Sequence, residues 1–459
     1  MNILSILAAA LLGISANVHY LATQNSEPFF WLGNTTWLMP EKLTREEVTL
    51  LLDSCKEQEY NVVQVQVVNG IPATNVYGSK SGSEAYWEHM DFIVEEAARR
   101  DIQVGMVCVW GGLVKKGLVS IDLAEAYGKF LGERYRGSDN IVWIIGGDVR
   151  GDVRPEVWNA LARAIKRADT RHLMTFHPFG RTNSLTWWND SDWLDFNMFQ
   201  SGHRRYDQKR GDGGDELSEI AEDNWRYVED AWAADPVRPV LDGEPSYEDI
   251  PQGLHDPSEP RWQACDCRRY AYWSVFAGAC GHTYGHNSIM QMHSGAEAGA
   301  YDAHKSWKEA LSDPGYGQMK YLRRLIEAFP YECRVPAQDV LLSNGERYSR
   351  ISATKGSDYI LAYTYDNSPI ELDLSRISGT RKHVWWYNPS DGGIEDAGEC
   401  KTATAAFQHS GERQPGNDWV LVVTDWKAGE YVRNLRRSSE SGKSQNIQSL
   451  LQSIGLQKQ

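Results

Sequence analysis

Two acidic residues stand where a pair of carboxylates could do chemistry. Asp148 ends the apolar run Trp143-Ile-Ile-Gly-Gly-Asp148, and Glu244 ends the run Leu241-Asp-Gly-Glu244. A glycine directly before each carboxylate leaves space for a ligand to approach. Two carboxyl groups that flank one ring can cleave a glycosidic bond, because one protonates the leaving oxygen while the other attacks the sugar or activates water. The residues predict this chemistry if the fold brings them together.

Each carboxylate also has a structural interpretation. Asp148 could cap the helix that follows it, and Glu244 could pair with Arg238. Asp242 and Glu244 should point the same way along an extended strand, because side chains alternate, so Asp242 could support its neighbour. We prefer Glu244 as the reactive group because it lies nearer the carboxyl end of the strand.

The elements that must position these carboxylates are short apolar runs separated by amphipathic helical stretches. Runs that are apolar throughout are typical of parallel strands buried on both faces. Eight such units over about 300 residues favour an α/β fold, a (β/α)8 TIM barrel, over an open doubly wound sheet. The predicted strands are Phe29–Trp37, Asn61–Val68, Gln103–Trp110, Asn140–Asp148, Leu173–Gly180, Asp195–Gly202, Pro239–Glu244 and Gly278–His286.

The segments around the barrel have a different character. Residues 335–426 contain short alternating strands punctuated by turn residues such as Asn344-Gly345, which predicts a small C-terminal β-sandwich after a barrel at residues 17–334. Residues 427–459 are rich in Ser, Gln and Arg, which is typical of a flexible tail. Residues 1–16 are apolar and end in small residues, which favours a signal peptide and a secreted or extracytoplasmic protein. The alternative for this segment, which lacks a basic residue, is an N-terminal core helix or strand.

The candidate substrate-binding residues follow from the predicted barrel. Reacting groups in such barrels project from the carboxyl ends of the strands, which places Asp148 and Glu244 at the ends of strands four and seven. Aromatic rings at those ends can stack on sugars, although a buried tryptophan is more often part of the core. Imidazoles and amides can hydrogen-bond to hydroxyl groups. The candidates are Asn34, Trp37, Gln64, Gln66, Trp110, His177, Gln200, His203, Tyr284 and His286.

Composition and missing motifs argue against several other classes of protein and of enzyme. Lys and Arg number 47 against 62 Asp and Glu, a net charge of −15, which argues against binding to nucleic acid or to an anionic membrane. The histidines lack a His-Glu-x-x-His pattern and the cysteines lack paired zinc spacing, so we expect no metal and no cofactor. A Gly-x-Ser-x-Gly nucleophile motif is also missing. We expect a monomer whose partner is a polysaccharide or oligosaccharide.

Several motifs, in order along the chain, resemble those of one enzyme family. The segment Pro28-Phe-Phe-Trp-Leu-Gly-Asn-Thr-Thr-Trp37 resembles the start of the apiosidase-like (DUF4038) barrel of glycoside hydrolase family 140. The β-domain resembles the module labelled as the collagen-binding domain of a collagenase. The resemblance covers about residues 17–426, and its other motifs are Leu43-Thr-Arg-Glu-Glu47, Trp143-Ile-Ile-Gly-Gly-Asp148, His177-Pro-Phe-Gly180, Phe199-Gln-Ser-Gly-His203 and Asp242-Gly-Glu-Pro245.

The resemblance implies a β-apiosidase that acts on apiose side chains of the pectin rhamnogalacturonan II. Asp148 and Glu244 match the catalytic aspartate and glutamate of the family, and the chain has Asn34 where aspartate is usual. We expect Asp148 to act as general acid/base and Glu244 as nucleophile, which favours retention of the anomeric configuration. The alternatives are a glycosidase for another furanose, such as arabinofuranose, and a non-catalytic carbohydrate-binding protein on the same scaffold.

Overall fold

A computed structural model describes residues 10–208 and 220–441 of the chain. The chain divides into two compact units between Leu311 and Ser312. The first unit contains the barrel and both predicted catalytic residues, and the second contains the C-terminal β-domain. Among the described residues, no helix combines the length and the hydropathy needed to cross a bilayer.

The first unit is a (β/α)8 barrel, which confirms the predicted fold class. Neighbouring parallel strands run in the order five, four, three, two, one, eight, seven and six. The ring is nearly closed: within the described residues no strand pairing joins strands five and six, but just before strand six the backbone N–H of Asp195 donates to the carbonyl of Met174 at 2.9 Å. Barrel strands one to eight are Trp31–Thr35, Val62–Gln66, Gln103–Val107, Ile141–Val149, Met174–Pro178, Asn197–Gln200, Val240–Asp242 and Gly281–Tyr284.

Helices between the strands cover the outside of the barrel. The first long helix begins with the capping box that Thr44 and Glu47 predict, in which each residue satisfies a backbone N–H of the other. The long helices are Arg45–Glu57, Glu84–Ala98, Ile121–Tyr135, Pro155–Ala168, Trp225–Trp232 and Ala264–Phe276. The short helices are Met39–Lys42, Gly111–Lys115, Leu185–Trp188, Asn287–Met290 and Trp307–Ala310.

A small antiparallel sheet precedes the barrel. It consists of Leu12–Ile14, Leu21–Thr23 and Pro28–Phe29. Residues 1–9 of the predicted signal peptide lie outside the described residues. The remainder of that segment supplies the first strand of this sheet, and Leu12 is buried there.

The second unit begins with the helix Pro314–Glu327 and continues as antiparallel β-structure. One sheet has six strands and a second has two, and apolar side chains from both fill the core between them. The six strands, in sheet order, are Val335–Pro336, Ile351–Lys355, Tyr359–Thr364, Trp419–Asp425, Lys382–Tyr387 and Ile394–Cys400, and the two are Ile370–Asp373 and Thr404–Phe407.

The structure corrects part of the predicted flexible tail. Residues Glu430–Ser441 form a helix, because Val432 and Leu435 are buried and hold one face of it against the unit. Residues 442–459 of the predicted tail lie outside the described residues.

Candidate active site

Irregular backbone at the end of strand four places Asp148 in the barrel mouth. Gly146, Gly147 and Asp148 have φ values of 89°, 107° and 49°, in the positive-φ region that residues other than glycine rarely adopt. A Cβ on Gly146 would lie 2.6 Å from the carbonyl oxygen of His177, and one on Gly147 would lie 2.8 Å from the Trp110 ring. The pairing with strand five slips at this point, as at a β-bulge, which aims Asp148 at the mouth.

A cavity of about 420 Å³ occupies the barrel mouth. Its wall includes residues from the ends or following loops of all eight strands, and both Asp148 and Glu244 face it. This volume falls within the roughly 300–1,000 Å³ typical of pockets for small ligands. The lining residues are Trp37, Leu38, Gln66, Trp110, Asp148, Phe179, Gly180, Arg181, Gln200, Gly202, His203, Arg204, Glu244, Tyr247, Ile250, Leu254, His255, Met290, Gln291, Ala300 and Tyr301.

Two imidazoles flank the carboxylate of Glu244. Nε2 of His203 lies 3.0 Å from Oε1, and Nε2 of His177 lies 3.2 Å from Oε2. The Nδ1 atoms of both rings accept backbone N–H groups, from Asp148 for His177 and from Tyr247 for His203, each at 3.3 Å. A neutral imidazole whose Nδ1 accepts must carry its proton on Nε2, so both N–H groups face Glu244.

The two carboxyl groups differ in the pKa that their surroundings impose. Burial acts to raise the pKa of Glu244, but the contacts with His177 and His203 outweigh it and lower the pKa to about 2. Asp148 is exposed and lines the cavity, where desolvation by the surrounding protein and the charge of Glu244 raise its pKa to about 6. At mildly acidic pH the site therefore holds one protonated acid and one carboxylate, the arrangement that acid-assisted displacement needs.

Five of the ten predicted binding residues line the cavity: Trp37, Gln66, Trp110, Gln200 and His203. The rings of Trp37 and Trp110 lie 5.8 Å apart and form an aromatic wall. Gln200 reaches Asp148, whose charged form it stabilises by a hydrogen bond. His177 contacts Glu244 rather than the cavity.

Strand alternation explains why Asn34 and Tyr284 do not line the cavity. Thr283 points into the barrel, so its neighbour Tyr284 points outward, where its hydroxyl donates to Glu248 at 2.5 Å. Asn34 likewise points outward and its amide donates to the Cys55 sulfur of the first long helix at 3.5 Å. Both predicted positions in the mouth are therefore corrected. Glu248, which lies beyond the end of strand seven, is buried.

Gln64 and His286 also lie away from the cavity. Gln64 points into the barrel but sits below the mouth, where its amide donates to the Gly243 carbonyl at 3.1 Å and to Thr283 Oγ1 at 2.9 Å. It ties strand two to the opposite side of the barrel. His286 is fully buried, and its Nδ1 accepts the backbone N–H of Ser288 at 3.0 Å.

Asp242 has a structural role rather than a place beside Glu244. Strand seven ends at Asp242, so regular alternation does not extend to Glu244. The buried Asp242 carboxyl accepts from Ser201 at 2.7 Å and from Asn224 at 3.1 Å, and burial raises its pKa to about 7. Arg238 does not pair with Glu244, because its guanidinium donates to the backbone carbonyl of Asn189 at 3.1 Å.

With this geometry established, comparison with known proteins identifies the family. Residues 15–332 match the family model "Apiosidase-like, catalytic domain", and residues 335–424 match "Putative collagen-binding domain of a collagenase". The chain belongs to the apiosidase-like family. No functionally curated protein matches it.

Two solved structures similar to this apiosidase-like chain are glycoside hydrolases. One, described as "Glycoside hydrolase", is 52% identical, with 91% of this chain and 98% of that chain covered and a TM-score of 0.89. The other is a glycoside hydrolase family 5 protein from Bacteroides vulgatus, also 52% identical, with 92% and 95% covered and a TM-score of 0.90. The family and these relatives make the chain a glycoside hydrolase whose substrate is a carbohydrate.

The apiosidase-like cavity also contains residues that the sequence reasoning missed. Tyr247 follows Glu244 by three residues, and its ring packs edge-on against His203 with centroids 4.7 Å apart. Tyr301 lines the cavity, where burial and the charges of Glu244 and Asp148 raise the pKa of its hydroxyl. Arg181 lines the cavity from the loop after strand five. These residues lie beyond the strand ends. The length of the loops after strands seven and eight was the only feature of the sequence that could have indicated that they reach the cavity.

Within the part of the chain that the structure describes, the cavity residues do not bring three metal-ligand atoms together. Nε2 of His203, which lines the cavity, is instead directed at Glu244.

Proposed function

We propose that this glycoside hydrolase removes a terminal furanosyl residue, with apiose as the first candidate, from a pectic polysaccharide such as rhamnogalacturonan II. The observation that carries the proposal is the pairing of a protonatable Asp148 with an ionised Glu244 in one cavity. The match to the apiosidase-like catalytic domain supports apiose as the sugar and membership of glycoside hydrolase family 140.

The size of the cavity supports removal of a small sugar unit. One or two sugar rings fit a volume of about 420 Å³. The Trp37 and Trp110 wall offers apolar contact to a sugar face.

The proposed mechanism assigns one role to each carboxyl group. Asp148 protonates the leaving oxygen, and Glu244 attacks the anomeric carbon to form a glycosyl-enzyme intermediate. Asp148 then deprotonates the water that releases the sugar, so the anomeric configuration is retained. The two pKa values support this direction, because the group with the higher pKa holds the proton.

The proposal is tested by sugar release from aryl β-apiofuranoside, aryl α-arabinofuranoside and rhamnogalacturonan II fragments. We expect release from the apioside, and loss of release in both Asp148→Asn and Glu244→Gln. Asp152→Asn is a matched control, since this exposed aspartate of the same loop pairs with Arg150 and does not line the cavity. Release from the arabinoside alone would change the sugar, and tight binding without release would favour the non-catalytic alternative.

We also propose that the protein acts outside the cytoplasm. The support is the apolar character of residues 1–16 and their small residues at the end. N-terminal sequencing of the protein recovered from its native host tests this, and an intact Met1 on the extracted protein would contradict cleavage.

A further inference from the structure

The imidazoles of His177 and His203 reach Glu244 from two different strands. His177 belongs to strand five, and His203 follows strand six. Both side chains are at least nine-tenths buried. Their Nε2 atoms approach different oxygens of the same carboxylate, so Glu244 is held from two directions.

Backbone contacts fix the orientation and the proton of each ring. The N–H of Asp148 points at Nδ1 of His177, and the N–H of Tyr247 points at Nδ1 of His203. An imidazole whose Nδ1 accepts a hydrogen bond carries its proton on Nε2. The Nε2 proton of each ring is therefore directed at Glu244.

His177 also links the two carboxyl groups. One of its nitrogens contacts the backbone of Asp148, and the other lies 3.2 Å from Oε2 of Glu244. The two atoms lie at ion-pair distance, and neither has a hydrogen-bond partner among the described residues. A change in the position of His177 would therefore move the acid relative to the nucleophile.

Other charged groups do not supply the same support. Asp148 from strand four, Tyr247 from the strand-seven loop and Tyr301 from the strand-eight loop line the same cavity as Glu244, and none of them carries a positive charge. Arg181, Arg204 and His255 also line this cavity. No arginine or lysine of the described residues forms an ion pair with Glu244, which leaves the two histidines as its stabilising partners.

We propose that His177 and His203 are positioning residues: paired N–H groups that keep Glu244 ionised and correctly oriented, with His177 also fixing the distance between the acid and the nucleophile. This inference rests on the proposed function of Glu244. It replaces the expectation that both histidines bind sugar hydroxyl groups, since only His203 lines the cavity.

Amide substitutions at His177 distinguish the roles of its two ring nitrogens. In His177→Asn the amide oxygen takes the place of Nδ1 and no donor reaches Glu244, whereas in His177→Gln the amide nitrogen takes the place of Nε2. We expect His177→Asn to lower kcat about 100-fold with KM changed less than about threefold. We expect kcat of His177→Gln to be about tenfold higher than that of His177→Asn. The Asn and Gln substitutions at His203 should have the same effects.

The pH profile distinguishes positioning from a structural role. Without one donor, burial raises the pKa of Glu244, so the acidic limb of kcat/KM should move up by about one to two pH units in the Asn variants. An acidic limb that stays in place, or a raised KM with kcat unchanged, would overturn the proposal and make the histidines substrate contacts.

A measurement that does not use activity separates this inference from the proposed function. We would measure the melting temperatures of a double-mutant cycle at each pH. The cycle consists of wild type, His177→Asn, Glu244→Gln and the double variant. A group with a depressed folded pKa stabilises above its unfolded pKa, and that contribution is lost as pH falls through the folded value. Loss of this coupling should lower the melting temperature by about 3 °C or more at pH 7, and the effect should become smaller toward pH 3.

The outcomes of the cycle and of the sugar-release assay are independent. A pH-dependent coupling in a protein that releases no sugar would retain the donor pair and reject the proposed function. Sugar release together with zero coupling at every pH would retain the proposed function and reject the donor pair.

Discussion

The two sides of the barrel mouth use their strand ends in opposite ways. At strands four to seven, Asp148, Glu244 and His203 line one cavity, and His177 contacts Glu244 from behind the cavity wall. At strands one, two and eight, the predicted residues Asn34, Gln64 and Tyr284 are buried in contacts within the protein. Polar residues at strand ends therefore supply the reacting groups only on the first side, although Gln66 of strand two also lines the cavity.

The difference lies in the regularity of the backbone. Asn34 and Tyr284 belong to regular strands, where alternation decides which face each side chain occupies. Asp148 follows two glycines in a left-handed conformation, and Glu244 lies two residues beyond the end of its strand. Reactive groups at this mouth therefore come from places where the strand geometry has ended or slipped.

The largest effect should come from removing the proposed nucleophile. Glu244→Gln keeps the size of the side chain and removes its charge, so we expect kcat to fall by at least about 10⁴-fold. Sugar release at substrate saturation measures this, with Glu156→Gln on an exposed helix as the matched control. Near-normal sugar release by Glu244→Gln would contradict the role of Glu244 as nucleophile in the cavity.

The next effect concerns the acid and its pH dependence. The pKa of Asp148 is raised to about 6, so the acid is protonated below that pH, and kcat/KM should fall as pH rises through about 6. Asp148→Asn should lower kcat/KM by about 10²- to 10⁴-fold and abolish this limb. A limb near pH 6 that persists in the variant would mean that another group carries the proton.

A third effect tests whether irregular backbone is required on the reactive side. In Gly147→Ala the new Cβ meets the Trp110 ring at a φ of 107°, so we expect a loss of about 1–3 kcal/mol in the free energy of unfolding. Denaturant unfolding and sugar release should both change. Gly82→Ala is the control, because its Cβ would meet nothing within 4 Å.

The smallest effect on activity should come from the packed side. Tyr284→Phe removes the hydroxyl that donates to Glu248, so unfolding should cost about 1–2 kcal/mol less while kcat/KM stays within about threefold. Denaturant unfolding beside the sugar-release assay measures both quantities. A large loss of kcat/KM without a loss of stability would place Tyr284 among the substrate contacts.

Sequence alone predicts the barrel and the meeting of its two carboxylates. Apolar runs mark eight parallel strands, and the topology of such a barrel brings the ends of strands four and seven to one mouth. For that reason Asp148 and Glu244 could be paired without knowledge of any side-chain contact.

Side-chain direction and loop conformation could not be predicted in the same way. A shift of one residue at a strand boundary reverses the face of every side chain, and the predicted bounds were longer than the observed ones for strands one and eight. Tyr247 and Tyr301 reach the cavity through loops whose paths depend on tertiary packing. The contacts of His177 and His203 with Glu244 likewise depend on three strands at once.

The most direct test of the account is covalent trapping of the nucleophile. A 2-deoxy-2-fluoro furanosyl fluoride of the sugar that the protein releases should slow the second step and accumulate the glycosyl-enzyme. Peptide mass spectrometry should then find one fluorosugar on the peptide that contains Glu244, and none in Glu244→Gln. A label on the Asp148 peptide, or turnover without any label, would contradict the assignment of Glu244 as nucleophile.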